Sequence, residues 1–169
     1  MSKFARDAEL RIPSDFIYLR SVRAFIRELA ENMGFCPEKV RNIEIATDEI
    51  FSNAVEHGSN DTHSEILICC STNDEMIRIT ISDSGRGKAI KEKWHEVWSD
   101  INSSKIKIGT ERGHGLLLAH LLTDEMRMES NSVDGLDVQL LWFIGRESLC
   151  CTNTNRVLCE PQVCLNSTE

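Results

Sequence analysis

The chain has 169 residues, 41% hydrophobic and 27% charged, with a formal net charge of -8 at pH 7. That length suits one domain with a genuine core. The excess of acid argues against a surface built to coat nucleic acid and makes basic or mixed protein surfaces the expected partners. The N-terminus, Met-Ser-Lys-Phe-Ala-Arg-Asp-Ala-Glu, carries charge throughout and lacks the apolar centre of a signal peptide. The longest apolar run, Leu116 to Leu122, is interrupted by His120 and falls far short of the roughly 20 residues of a membrane span. Seven cysteines, with Cys69-Cys70 and Cys150-Cys151 adjacent, show no C-x-x-C zinc spacing. Cysteines used as small hydrophobes in an apolar strand fit a reducing, cytoplasmic setting.

In chain order, Glu9-Leu-Arg-Ile12 alternates and is stopped by Pro13. Ser14 reads as the N-cap of a helix with acidic Asp15 in its first turn. Phe16, Leu19, Val22, Phe25, Ile26, Leu29 and Met33 recur at three and four residues, so this helix is expected to run to Gly34 as its C-cap. Pro37 opens a second helix at its first turn, and His57-Gly58 ends it. On a wheel at about 100° per residue, Val40, Ile43, Ala46, Ile50, Phe51, Ala54 and Val55 occupy one half of that helix. His57 falls on the same side and is expected to be packed. Glu49 and Asn53, one turn apart, lie together on the other half, Asn53 at the border of the apolar stripe. Taken alone, such a pair is simply the solvated side of an amphipathic helix.

Ser59-Asn-Asp-Thr-His63 is loop by composition. Glu65 to Ser71 and Met76 to Ser82 read as strands joined in a hairpin through Thr72-Asn-Asp-Glu75. In the second, Ile77, Ile79 and Ile81 alternate with Arg78, Thr80 and Ser82, so one face is buried and the other wet. This strand runs directly into Asp83-Ser-Gly-Arg-Gly87, a D-x-G-x-G turn. Lys88 to Ile108, charged and carrying Trp94 and Trp98, has the composition of a lid over a ligand. Gly109-Thr-Glu-Arg-Gly-His-Gly-Leu116 is a second glycine turn, opening a helix from Gly113 to about Asp124. Met126 to Ser130 and Leu136 to Phe143, joined through Val133-Asp-Gly135, complete a sheet. The pattern predicts an α+β two-layer sandwich.

Three signals in this order (Glu49-x-x-x-Asn53 on a buried helix, Asp83-x-Gly85-x-Gly87 after a strand, and Gly113-His114-Gly115 before a helix) resemble the ATP-binding domain shared by gyrase, Hsp90, histidine kinases and MutL. Within that superfamily the chain is most similar to the small anti-sigma factor serine kinases. The resemblance spans about Leu10 to Phe143. It implies a mixed β-sheet with helices on one face and a kinase domain over residues 9–145; residues 146–169, with polar Asn-Thr-Asn and scattered cysteines, have no counterpart in it and read by composition as a flexible C-terminal tail. Cys150, Cys151, Cys159 and Cys164 in that tail are too irregularly spaced for a zinc site.

The chemistry suits the residue types. Magnesium takes hard oxygen ligands and usually only one or two from protein; Asn53 offers an amide oxygen, and the resemblance makes it the magnesium residue. Glu49 can take the proton of an attacking hydroxyl, whether of a serine or of water, and the resemblance makes it the general base. Asp83 can accept from the exocyclic amine of adenine, while Gly85 and Gly87 free the backbone to turn and approach a ligand. Gly113, His114 and Gly115 offer backbone N–H groups and a positive helix end to phosphate oxygens, with Arg112 adding charge; Leu116 completes the implied nucleotide contacts. One departure stands out: where the family reads Gly-Thr-x-Val, this chain has Gly135-Leu-Asp-Val138, which bears on the tightness of nucleotide binding.

The implied function is a cytoplasmic homodimer that binds ATP and Mg2+, sequesters a sigma factor and phosphorylates a serine on its STAS-type antagonist, without direct nucleic-acid or membrane contact. The alternative is a nucleotide-gated protein-binding module with little or no kinase activity.

Overall fold

A computed structural model describes residues 6–57, 63–85, 114–133 and 135–145. Along the chain these form β1 (Arg6–Pro13), a 3-10 turn (Phe16–Tyr18), α1 (Leu19–Asn32), α2 (Pro37–His57), β2 (Glu65–Thr72), β3 (Met76–Ser82), α3 (His114–Leu122), β4 (Glu125–Ser130) and β5 (Leu136–Phe143). Five strands make one sheet in the order β1-β2-β3-β5-β4. The two-layer α+β architecture is as expected, but the sheet is not mixed: every hydrogen-bonded pair among the described strands is antiparallel. The reason lies in the connections. β3 and β4 run in the same direction, yet β5 folds back from β4 and inserts between them, so the two parallel strands never touch.

Alternation decides which face is covered. Ile66, Ile68 and Cys70 on β2, Ile77, Ile79 and Ile81 on β3, and Leu136, Val138 and Leu140 on β5 are all buried, and they pack with Val22, Ile26 and Ala30 of α1, Val40, Ile43, Ala46, Ile50, Phe51 and Ala54 of α2, and Ala119 of α3. The opposite face carries rows such as Arg11, Leu67, Ser82 and Asp137, aligned by the strand register. Cys70 thus behaves as the small hydrophobe expected, whereas Cys69 falls on the half-exposed face. Burial pushes the Cys70 thiol up to about 12, which keeps it unreactive.

Several expected boundaries move. β1 is longer than the alternating segment suggested and includes Pro13, tolerated because β1 is an edge strand. The cap is Asp15 rather than Ser14: the Ser14 N–H donates to the Ser64 carbonyl at 2.9 Å, while the Asp15 carboxylate accepts from the Ile17 N–H at 2.9 Å. The chain is still leaving the sheet at Ser14, so helical winding begins one residue later and as a 3-10 turn. Gly34 ends the first helix region with φ of +84°, the left-handed conformation its lack of a side chain permits. His57 is not packed; its side chain is 55% exposed, because burial fades over the last turn of α2, where Glu56 is exposed too.

Polar ties join the helices to their neighbours. Arg23 pairs with Asp48, and Arg27 with Glu44, the latter through Nε at 2.8 Å and a second guanidinium nitrogen at 2.6 Å. Lys39, in the first turn of α2, reaches Asp124 just past α3 at 2.6 Å. The Trp142 indole, fully buried, donates to the Leu122 carbonyl at 2.8 Å and so satisfies the C-terminal end of α3. Among the described residues no helix is long and apolar enough to cross a membrane.

Candidate functional site

The side of α2 that carries Glu49 and Asn53 faces the N-terminal turn of α3, and the contact point is Gly115. A Cβ built on Gly115 would lie 2.4 Å from Glu49 Oε2 and 3.4 Å from Asn53 Nδ2. Only glycine allows this approach without displacing the carboxylate. Among the described residues the side chains of Glu49 and Asn53 make no hydrogen bond or ion pair, and both are half-buried. A carboxylate and an amide thus sit unspent beside the opening of a helix, the end whose free N–H groups and dipole favour anions.

Asp83 lies on the sheet side of the same region and is buried. Its Oδ1 accepts from the Gly85 N–H at 2.9 Å and the Leu136 N–H at 3.2 Å. No described residue donates to Oδ2. Burial pushes the Asp83 carboxyl above the usual aspartate range, against the pull of those two N–H donors and with a further upward push from the charge of Asp137. A small cavity connects the parts: Asn53, Asp83, Leu116, Leu136 and Val138 are among its walls. Its free space is only about 10 Å³, roughly enough for one water. Leu116 and Leu136 supply part of its apolar wall.

The expected site residues therefore divide into two groups. Glu49, Asn53, Asp83, Gly115 and Leu116 are brought together, with Gly85 fixing Asp83. His114 contributes its backbone to the first turn of α3. Gly87, Arg112 and Gly113, the segment 88–108 read as a lid and the tail 146–169 lie outside the described residues. Among the described residues no group of three or more His, Cys, Asp or Glu side chains is placed to hold a metal ion. Asn53 with one adjacent carboxylate matches the sparse oxygen donor set that magnesium accepts.

Sequence reasoning missed Asn131 and the close approach at Gly135. A Cβ on Gly135 would lie 1.8 Å from the Asp83 carbonyl oxygen, so the β4–β5 turn runs directly against the end of β3. The turn was legible from its Val-Asp-Gly; its contact with Asp83 was not, since 48 positions separate Asn131 from Asp83. At the departure from Gly-Thr-x-Val, Leu136 keeps its backbone bond to Asp83 while its side chain fills the cavity wall. A wider cleft of about 600 Å³ opens on the uncovered face, lined by Arg11, Glu65, Ser82, Asn131 and Asp137 among others, and of the expected site residues it reaches only Asp83.

The chain is similar to the serine-protein kinase RsbW of Bacillus pumilus, 27% identical over 142 residues that cover 82% of this chain and 86% of the relative. It is likewise similar to the serine-protein kinases RsbW of Bacillus subtilis, 24% identical over 82% of this chain and 86% of the relative, and of Oceanobacillus iheyensis, 27% identical over 83% and 89%. Among solved structures, that of the RsbU and RsbW domains of a Mycobacterium tuberculosis protein matches in fold, with a TM-score of 0.56 at 22% identity, covering 81% of this chain and 32% of that one. Residues 12–142, from the end of β1 to Trp142, match the profile of the histidine kinase-like ATPase domain, and the chain belongs to that family.

Proposed function

We propose that this protein is a serine-protein kinase that binds ATP with Mg2+ and acts as a cytoplasmic anti-sigma factor, holding a sigma factor and phosphorylating a serine on a STAS-type antagonist. The observation that carries the reading is the meeting of Glu49 and Asn53 with Gly115, across a cavity from Asp83. The names of the relatives, serine-protein kinases, support the same chemistry. Bound Mg-ATP would supply the transferable phosphoryl group and the charge neutralisation its transfer needs.

In this reading each residue has a separate task. Asn53 lends its amide oxygen to the metal. Asp83 accepts from the adenine amine through Oδ2, the oxygen left open by its two backbone donors. The N-terminal turn of α3 holds phosphate oxygens through backbone N–H groups, with Arg112 and Gly113 in support. Gly85 and Gly87 let the backbone turn against the nucleotide, and Leu116 completes its contacts. Glu49 takes the proton of the attacking serine hydroxyl as its oxygen bonds to the γ-phosphorus and the bond to the ADP oxygen breaks. A homodimer whose nucleotide state selects between sigma factor and antagonist completes the proposal.

The test is Glu49→Gln, which keeps size and polarity and removes the base. Phosphate transfer to the antagonist should fall by about a hundredfold to ten-thousandfold, while ATP affinity and sigma-factor capture persist. Transfer at the wild-type rate would reject Glu49 as the base. A wild-type protein that binds ATP and captures its partner yet labels no serine would leave the nucleotide-gated binding module as the function.

A further inference from the structure

We infer that Asn131 is a positioning residue for adenine recognition: it locks the β4–β5 turn onto the end of β3 and thereby aims the Asp83 carboxylate. The inference rests on the proposed role of Asp83 as the adenine acceptor.

Asn131 spends its whole hydrogen-bonding capacity on this junction. Its Nδ2 donates to the Asp83 carbonyl oxygen at 2.8 Å and to Asp137 Oδ1 at 3.0 Å. Its Oδ1 accepts from the Gly135 N–H at 2.8 Å and the Val133 N–H at 3.2 Å. Two donor hydrogens and two acceptor sites are all that a primary amide offers. The orientation is fixed by its partners, since two acceptors face one end and two N–H groups face the other. Its own backbone N–H also closes the turn on the Gly135 carbonyl at 3.0 Å.

The consequence passes through two neighbouring residues. Gly135 is held by Asn131 and lies so close to Asp83 that any side chain there would strike the Asp83 carbonyl. The next residue, Leu136, exchanges two bonds with Asp83: its carbonyl accepts the Asp83 N–H at 3.1 Å, and its N–H donates to Asp83 Oδ1 at 3.2 Å. The distance between the Asn131 amide and the Asp83 backbone therefore sets where Leu136 meets the carboxylate, and so which oxygen, Oδ2, is left without a described donor. Asn131 also lines the open cleft behind the sheet, so it acts on the nucleotide side from outside that cavity.

Asn131→Asp isolates the effect. An aspartate keeps the size and still accepts from Gly135 and Val133, so the turn survives, but it sets a carboxylate oxygen against the Asp83 carbonyl and the Asp137 carboxylate. Calorimetry of the full chain with Mg-ATP, Mg-GTP and Mg-triphosphate should show ATP affinity down by about five- to twentyfold, from the loss of one or two hydrogen bonds' worth of alignment. The ATP over GTP preference should shrink in proportion, and triphosphate affinity should stay within about twofold. A purely structural role would weaken all three ligands alike. Adding Asp137→Asn relieves the carboxylate pair and guards the fold, without restoring the preference for ATP, since Asp83 still faces an oxygen. Wild-type ATP preference in both variants would overturn the inference. Asp83→Asn, run in parallel, separates the two readings: if it leaves the preference unchanged, adenine reading by Asp83 fails; if it erases the preference while Asn131→Asp does not, only the role of Asn131 fails.

Discussion

The two polar edges of α2 carry the same kinds of residue and have opposite fates. On the edge toward α1, Glu44 and Asp48 are claimed by Arg27 and Arg23, one turn apart on each helix, so that two ion pairs fasten the helices together. On the edge toward α3, Glu49 and Asn53 meet a glycine and no described partner. Adjacent residues, Asp48 and Glu49, thus belong to different parts of the molecule. A carboxylate matched by an arginine ties two helices together, although at Asp48 only Oδ2 is paired and Oδ1 stays buried without a described partner. Glu49, beside the N-terminal turn of α3, has no partner among the described residues, so its acceptor capacity there is free for a ligand.

The comparison breaks most visibly at Gly115. Gly115→Ala sends a Cβ into Glu49 Oε2, and because that oxygen ends a flexible side chain, the carboxylate swings aside with little cost to the fold. Alanine also favours helix over glycine by up to about 1 kcal/mol. The melting temperature should therefore hold or rise, while serine phosphorylation falls by about ten- to hundredfold, the effect of a displaced catalytic group. A matching drop in both would mean that the α2–α3 edge is scaffold as well.

The converse substitution lies on the other edge. Arg27→Ala removes the partner of a nearly buried Glu44, whose side chain is 10% exposed while that of Arg27 is 51% exposed. Loss of a charge-assisted bond of this kind, softened by the exposure of Arg27, should cost about 1–2 kcal/mol, or several degrees in melting temperature for a chain of this size. ATP affinity should not change. Weakened ATP binding in a protein that is still fully folded would show that the α1 edge is coupled to the site.

The smallest effect, and the sharpest in sign, concerns Asp83. Burial raises its folded pKa above that of the unfolded chain, so the folded state takes up its proton first as pH falls. Stability from this group is therefore present at low pH and lost as pH rises through the folded value; the charged form at neutral pH is a cost to the fold. With Asp83 as the proposed adenine acceptor, binding runs the other way, because the amine needs an acceptor. ATP affinity should decline on acidification at a pH above ordinary aspartate titration. In Asp83→Asn the Oδ1 bonds to Gly85 and Leu136 can persist, so stability at neutral pH should equal or exceed that of the wild type, with ATP affinity lower and that acid step absent. Titration calorimetry across pH, with thermal melts on the same samples, checks both signs.

Much of this was legible beforehand where one local signal governed a segment. Periodicity found α2, β3 and β5 with their ends, because Pro37, Asp83 and Gly135 punctuate them and the apolar positions recur without conflict. It misled at His57, because a wheel has no ends: the angle was right, but burial fades over the last helical turn. It also placed the cap at Ser14, since the pull of the sheet on the Ser14 N–H comes from Ser64, far along the chain. Glu49, Asn53 and Asp83 could be named from motif order; that Glu49 and Asn53 meet Gly115 and that Asp83 is clamped from Asn131 could not.

By itself, the sequence determined the alternation that buries one face of the sheet, the helical face that α2 turns to the core, and the residue types that suit a magnesium nucleotide. These follow from side-chain polarity at fixed periods of about 3.6 and 2 residues, which need no knowledge of distant partners. Tertiary structure alone decided that the described strands all pair antiparallel, because β5 inserts between β3 and β4. It also decided which carboxylates of α2 are paired and which have no partner among the described residues, and that a turn 48 residues beyond Asp83 holds it in place. Those outcomes depend on which segments pack side by side, and a hydrogen bond between distant residues leaves no period in the chain that forms it.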